Sequence, residues 1–506
     1  ASNGQDDEIN LVQGIYFGNF EYSSIESKAL SIRGGYSQDC ASRALDPSNT
    51  LLDGQQIGPV LAISGPEEGA EFTIEGMTLQ HGKATADSVG KGGGLSVNGG
   101  TKGSVTVRHN QVMNNSGVDG GGAYLLAGTI SLNFNSIQDN ESSGGHWGGG
   151  GAMVLGSVDV TNNRIQGNTS TRCGGGILLA SSHAILTDNL IQNNSGQLGG
   201  GICLLTHHST AWLSSNLTNN NLANEGGGLA LYGSKGGAIL LEANKFQDNL
   251  AATRGGGIFV GSDYIDATLI NNSLVGNTAR EGGGYFGQGS YGDTNFTNNT
   301  LIDNASYSGG GLSLYLDGPM TDSRVNLFNN LFRYNQAVGK QGEDFWIANA
   351  TTSQVALYAN NFNWSSPAGY WVKTPVYVDA TNLNALDPQF VDVDHGDLRL
   401  LAGSPMIDVG YLLTPDLPDF DLSGRPRVRG DGVDIGAYES DASDPGLTLT
   451  LVHAGTGSGH VTSEPRGLNC VSGAGDCSWA FARDTVVSLS AATTDATSEF
   501  TGWGGD

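Results

Sequence analysis

The chain reads as an all-β parallel solenoid, and three observations predict it. A glycine triplet recurs nine times at intervals of 25 to 29 residues, beginning at Gly92, Gly120, Gly149, Gly174, Gly199, Gly226, Gly255, Gly282 and Gly309. Two asparagines five positions apart recur inside each interval, and every triplet is followed by an apolar run too short for a helix. A fixed period near 27 without helical patterning is the mark of coils stacked ~4.8 Å apart around one axis.

Each element follows from that repeat. Leu95-Ser96-Val97, Ile177-Leu178-Leu179, Ile258-Phe259-Val260 and Leu312-Ser313-Leu314 read as strands alternating between core and exterior. The first asparagine of each pair includes Asn135, Asn163, Asn189, Asn216, Asn244, Asn272 and Asn299. An amide both donates and accepts, so these side chains should form a structural ladder from coil to coil. Between the asparagines an apolar residue, such as Ile137, Ile165 or Phe246, should stack internally. Residues 1–80 read as an N-terminal cap with the first coils, 81–380 as regular coils and 381–440 as a C-terminal cap. An acidic linker follows at 441–446, then a small β-rich module at 447–506. Some 12 to 14 coils would give a rod about 60 to 65 Å long.

Charge and cysteine content narrow the partners. Twenty-three basic residues against 50 acidic ones leave a formal charge of −27, which argues against nucleic acid, anionic membranes and polyuronates. No apolar stretch approaches the ~20 residues of a transmembrane segment, and no leader is evident at Ala1. Cys470 and Cys477 suit a small disulfide loop. Cys173 and Cys203 lie five positions out of phase, roughly 16 Å along an extended strand, beyond the ~7 Å Cα limit of a disulfide. Both are therefore expected as free thiols. Acidity, polar composition and the Cys470–Cys477 loop favour a secreted, extracellular or cell-surface location.

Two resemblances sharpen this. Gly-Gly-Gly-(Ile/Leu) paired with (Ile/Leu/Phe)-x-x-Asn, as in Ile137-Gln138-Asp139-Asn140, resembles the repeats of polymorphic outer-membrane-protein adhesins and of bacterial secreted right-handed parallel β-helix proteins. This implies a pectin-lyase-like fold. Asp387-Pro388-Gln389-Phe390, Gly403-Ser404-Pro405, Asp421-Leu422-Ser423-Gly424-Arg425-Pro426 and Asp434-Ile435-Gly436-Ala437-Tyr438-Glu439 resemble the choice-of-anchor Q segment, which implies export and surface attachment or release. Read physically, Asp421, Arg425, Arg427, Asp434 and Glu439 form an internal ion-pair set. The part from Gly459 to Trp503 resembles a module found in tandem on bacterial surface proteins, so the chain is expected to be a fragment.

Candidate chemistry is sparse. The outward column Tyr124, Met153, Leu178, Phe259 and Phe286 is unusually apolar and calls for a covering surface. That surface could be a partner protein, a second copy, another wall of the same chain or, through ring stacking, a glycan. Just before the triplets stand Glu225, Arg254 and Glu281 on successive coils. The two carboxyls, about 10 Å apart by coil spacing, approach the separation of an inverting glycosidase; a solvated Glu/Arg/Glu ladder is the plainer reading. Asp392 and Asp394 could hold Ca²⁺ or belong to the cap, and no cofactor is required. His109, His183, His207 and His208 read as turn residues. Two functions emerge: an exported structural, adhesive or self-assembling protein, or a carbohydrate-active hydrolase or lyase working in a groove along the rod.

Overall fold

Successive coils pair in parallel throughout the solenoid of the computed structural model. The structure describes residues 5–504 except 89–90, 146, 263–264, 289–291, 317–323, 340, 350–353, 366, 374–375, 441–446, 473, 482–484 and 496. The predicted linker at 441–446 and His146 lie outside the described residues. The protein is a right-handed parallel β-helix followed by small C-terminal sheets.

One coil shows the plan. A first wall runs over Leu229–Glu242, a second over Lys245–Gln247 and a third over Leu250–Arg254, after which Gly255 opens the next corner. Stacked first walls make a 23-stranded sheet, and stacked second walls a 14-stranded one. Registers hold residue by residue: Leu229 lies on Ile258, Phe246 on Leu274 and Leu250 on Thr278. Val154, Leu179, Leu204 and Leu231 therefore stack inside the coil and are fully buried.

The corners explain the triplets. Gly226 takes a left-handed φ of +66°, and a Cβ on Gly227 or Gly228 would lie 2.4 or 2.6 Å from a carbonyl oxygen of the next coil. The first glycine makes the turn and the other two admit the neighbouring backbone. The remaining two bends of each coil use another device. A single left-handed residue, Ser215 or Asn220 in one coil and Ala243 or Asp248 in the next, is followed by a ladder asparagine. Asn216 Nδ2 donates to Leu186 O at 2.8 Å and to Asn244 Oδ1 at 3.0 Å, while its own Oδ1 accepts from Asn189 N and Nδ2. The first ladder runs from Asn110 through Asn135, Asn163, Asn189, Asn216, Asn244, Asn272 and Asn299 and continues to Asn330, Asn360 and Asn382.

Two expectations need correction. Cys173 and Cys203 form a disulfide, with Cα atoms 5.6 Å apart. The separation expected for an extended chain fails because the glycine corner reverses direction, bringing the residue before a triplet over the outward side chains after it. Cys470 and Cys477 are likewise bonded, and Cys40 is free.

The segment expected to cap the last coil instead runs along the side of the helix. Asn298 Nδ2 donates to Asp434 O at 2.9 Å, Asn329 Nδ2 to Tyr411 O at 3.1 Å and Asn271 Nδ2 to Phe420 O at 2.6 Å. Phe390, Leu398, Met406 and Ile435 pack on Ile302, Leu331 and Ala359. It is a lateral strap spanning several coils.

Candidate binding groove

The corner reversal builds a groove whose floor is the outward column of the first wall and whose shoulder is the end of the third wall. Met153, Leu178, Phe259 and Phe286 are at most 2 % exposed, and Tyr124 is half-buried. Much of the cover comes from the same chain. Leu198 on the shoulder packs on both apolar clusters of the floor, and the Cys173–Cys203 bond staples shoulder to floor. Lys91 Nζ stands 5.3 Å from the centre of the Tyr124 ring.

Glu225, Arg254 and Glu281 do come together. Arg254 Nη1 lies 3.8 Å from Glu225 Oε1, and its Nε lies 3.8 Å from Glu281 Oε2. Its guanidinium also sits over Phe286, 5.3 Å from the ring centre, and donates to Gln288 Oε1 at 2.9 Å. Tyr232 donates its hydroxyl to Glu225. Burial, then that bond to a carboxylate, drives the Tyr232 pKa well above the ordinary tyrosine value, so the hydroxyl keeps its proton. An inverting pair needs room for a water between its carboxyls; here a cation contacts both.

Aromatic rings continue along the floor. Tyr232, Phe259, Phe286, Tyr315, Trp346 and Trp371 follow one another with centroids 5.1, 5.7, 5.5, 4.5 and 5.0 Å apart. Trp346 and Trp371 are within 10° of parallel. Phe259 and Phe286 are also near parallel, at 7°, whereas the other neighbours are tilted by 36 to 47°.

Asp392 and Asp394 do not converge on one site. Asp392 Oδ2 contacts His395 Nδ1 at 2.8 Å, whereas Asp394 pairs with Arg466 Nε at 3.3 Å. Arg466 also reaches Asp303 Oδ1 at 2.7 Å, tying the C-terminal module to coil and strap. Among the described residues, no group of three His, Cys, Asp or Glu is arranged to hold a metal ion. His109 sits at a bend as expected and stacks on Phe134, whereas His183, His207 and His208 lie on strands rather than turns; His183 contacts Thr210, and the side chains of His207 and His208 lie outside the described residues.

Within the strap, Arg427 Nη1 pairs with Glu439 Oε1 at 3.0 Å, both side chains being 1 % exposed. Asp434 accepts from the backbone of Asp408 and Ser440, Asp421 from that of Ser423, Arg425 and Glu439. Burial, then the neighbouring Asp434, pushes Glu439 up to about 8. Arg425 Nη1 donates to Glu439 O at 3.4 Å. These groups fasten the strap and lie away from the groove.

Residues 66–217 match the family model described as the right handed beta helix region. That span covers the first regular coils. Comparison with curated proteins returns no match.

Proposed function

We propose that this β-helix protein is exported and acts outside the cell as a non-catalytic rod with a structural, adhesive or self-assembling role. One observation carries the reading: Arg254 is ion-paired with Glu225 and with Glu281, which leaves these two carboxylates poorly suited to share acid and base work on a glycosidic bond. Two disulfides support an oxidising compartment, and the acidic composition supports solubility there. The strap resembling a choice-of-anchor Q segment is consistent with bacterial surface attachment or release.

The test has three arms: adhesion of the purified chain to cells and to extracellular matrix polysaccharide, its sedimentation at high concentration, and its turnover of a polysaccharide panel. Adhesion or concentration-dependent assembly without turnover is expected. A monomer that binds nothing would overturn the reading.

A carbohydrate-active enzyme is the second reading, favoured by Glu281, whose side chain is more open than that of Glu225. Turnover abolished by Glu281→Gln with folding intact would establish it in place of the first.

A further inference from the structure

A shallow depression lies on the first wall, outside the groove, on strands Ser104–Arg108, Ala123–Asn133, Ala152–Thr161 and His183–Thr187. Its volume is about 270 Å³, just under the ~300 Å³ at which drug-sized sites begin and on the scale of one sugar ring. Its lining is five serine and threonine side chains together with Asp159, His183 and Ile185, over a base of inward valines and isoleucine. Beyond Ile185, in register on the next coil, stands Trp212, an exposed indole at 43 %.

We propose that this depression binds one uncharged pyranose unit of a glycan, with Trp212 as its apolar wall. Three features select that ligand class. The hydroxyls both donate and accept, as sugar hydroxyls do. Among the described residues, Asp159 and His183 are the only titratable groups of the lining, and neither a lysine nor an arginine is there to neutralise a uronate, sulfate or phosphate. An exposed indole offers the apolar patch on which the C–H face of a pyranose packs.

Both polar anchors are already oriented. Thr161 Oγ1 donates to Asp159 Oδ1 at 2.5 Å, which leaves further acceptor capacity on the carboxylate. His183 Nδ1 contacts Thr210 Oγ1 at 2.7 Å, which fixes the ring and turns Nε2 to other partners. In the groove the aromatic rings contact one another in a row along the floor; on this wall one indole stands at the rim of a polar hollow. The inference takes its ligand from the adhesive reading but assigns it to a different face.

The experiment titrates the intact chain with maltohexaose, cellohexaose, xylohexaose and chitohexaose, and with hexagalacturonate as the acidic probe, by calorimetry and tryptophan fluorescence. At least one neutral probe should bind saturably. Trp212→Ala and Asp159→Ala should each weaken it tenfold or more without moving the thermal midpoint, and Trp371→Ala in the groove should leave it unchanged. Absence of binding by every neutral probe, binding of the acidic probe alone, or binding lost in Trp371→Ala and kept in Trp212→Ala would each overturn the assignment. Adhesion that persists without oligosaccharide binding removes this inference alone, whereas oligosaccharide binding without adhesion removes the adhesive reading alone.

Discussion

Cys173 on the shoulder and Cys203 on the floor, two glycine corners further along the chain, are joined across Cα atoms 5.6 Å apart. The bond closes a 30-residue separation, for which the chain-entropy argument gives about 3 to 4 kcal/mol. Replacing both cysteines by alanine should lower the unfolding free energy measured by urea denaturation by that amount. Hydrogen-exchange protection should fall first on the coils between residues 173 and 231. Thiol titration of the unreduced, denatured chain should count one reactive group, Cys40; three would mean that one of the two disulfides is open, and labelling at Cys173 and Cys203 would identify it as theirs.

The same corner marks the boundary of what the sequence discloses. Periodicity alone locates the strands, the inward columns and the asparagines, because each coil repeats one physical solution. It does not disclose that Glu225 meets Tyr232 or that Cys173 meets Cys203, since those contacts depend on how sharply three glycines reverse the chain. The strap leaves a signal that period-counting passes over. On three successive coils the left-handed residue before the ladder is itself asparagine, Asn271, Asn298 and Asn329, and all three are buried under the strap. One outward second-wall column changes there too, from Gln138, Gln166 and Gln192 to Val275 and Ile302, and the other outward column reaches buried Leu331 above Thr300. Asn360 and Asn382 extend the ladder where the glycine triplets have stopped, so a reading anchored on glycine misses them.

Asn216 tests the ladder. Its amide satisfies Leu186 O, 30 residues back along the chain, and links Asn189 to Asn244, all without solvent. Alanine would orphan several buried groups, each costing roughly 1 to 3 kcal/mol, so a loss on the order of 3 to 5 kcal/mol is expected. Aspartate removes the donor and adds buried charge and should be worse. Equilibrium urea unfolding of the two variants checks the order; an alanine variant within 1 kcal/mol of the parent, roughly one orphaned group, would show that water replaces the amide.

Ala243 holds φ +55°, a region that L-residues avoid at about 1 to 2 kcal/mol. Ala243→Gly removes that strain while loosening the unfolded chain by about 0.4 to 1 kcal/mol. A net gain of roughly 0.5 to 1 kcal/mol is expected from these two opposing effects. The reverse change at Gly276, where a Cβ would fall 2.4 Å from Asp248 Oδ1, should destabilise. Thermal midpoints moving in opposite directions for the two variants check the account, and a shift of the same sign in both would refute it.

Asp344 ends the second asparagine ladder, which runs from Asn115 through Asn140, Asn168, Asn194, Asn221, Asn249, Asn277 and Asn304 to Asn335, and should make stability depend on pH. Asn335 Nδ2 donates to its Oδ1 at 3.1 Å and Asn363 N to its Oδ2 at 2.7 Å, in a position 4 % exposed. Burial is the largest influence and pushes its pKa up from 3.8 to about 6, against the pull of those two bonds. The folded chain therefore binds this proton more tightly than the unfolded one. Its contribution is complete below about pH 4 and is lost as pH rises through about 6, a change on the order of 3 kcal/mol for a shift of this size. Asp344→Asn removes the titration, so parent stability minus variant stability should fall by that amount between pH 4 and pH 7 and stay level above. Urea midpoints taken in half-unit pH steps measure the difference; a flat line would mean that the carboxylate is as easily ionised at the ladder's end as in water.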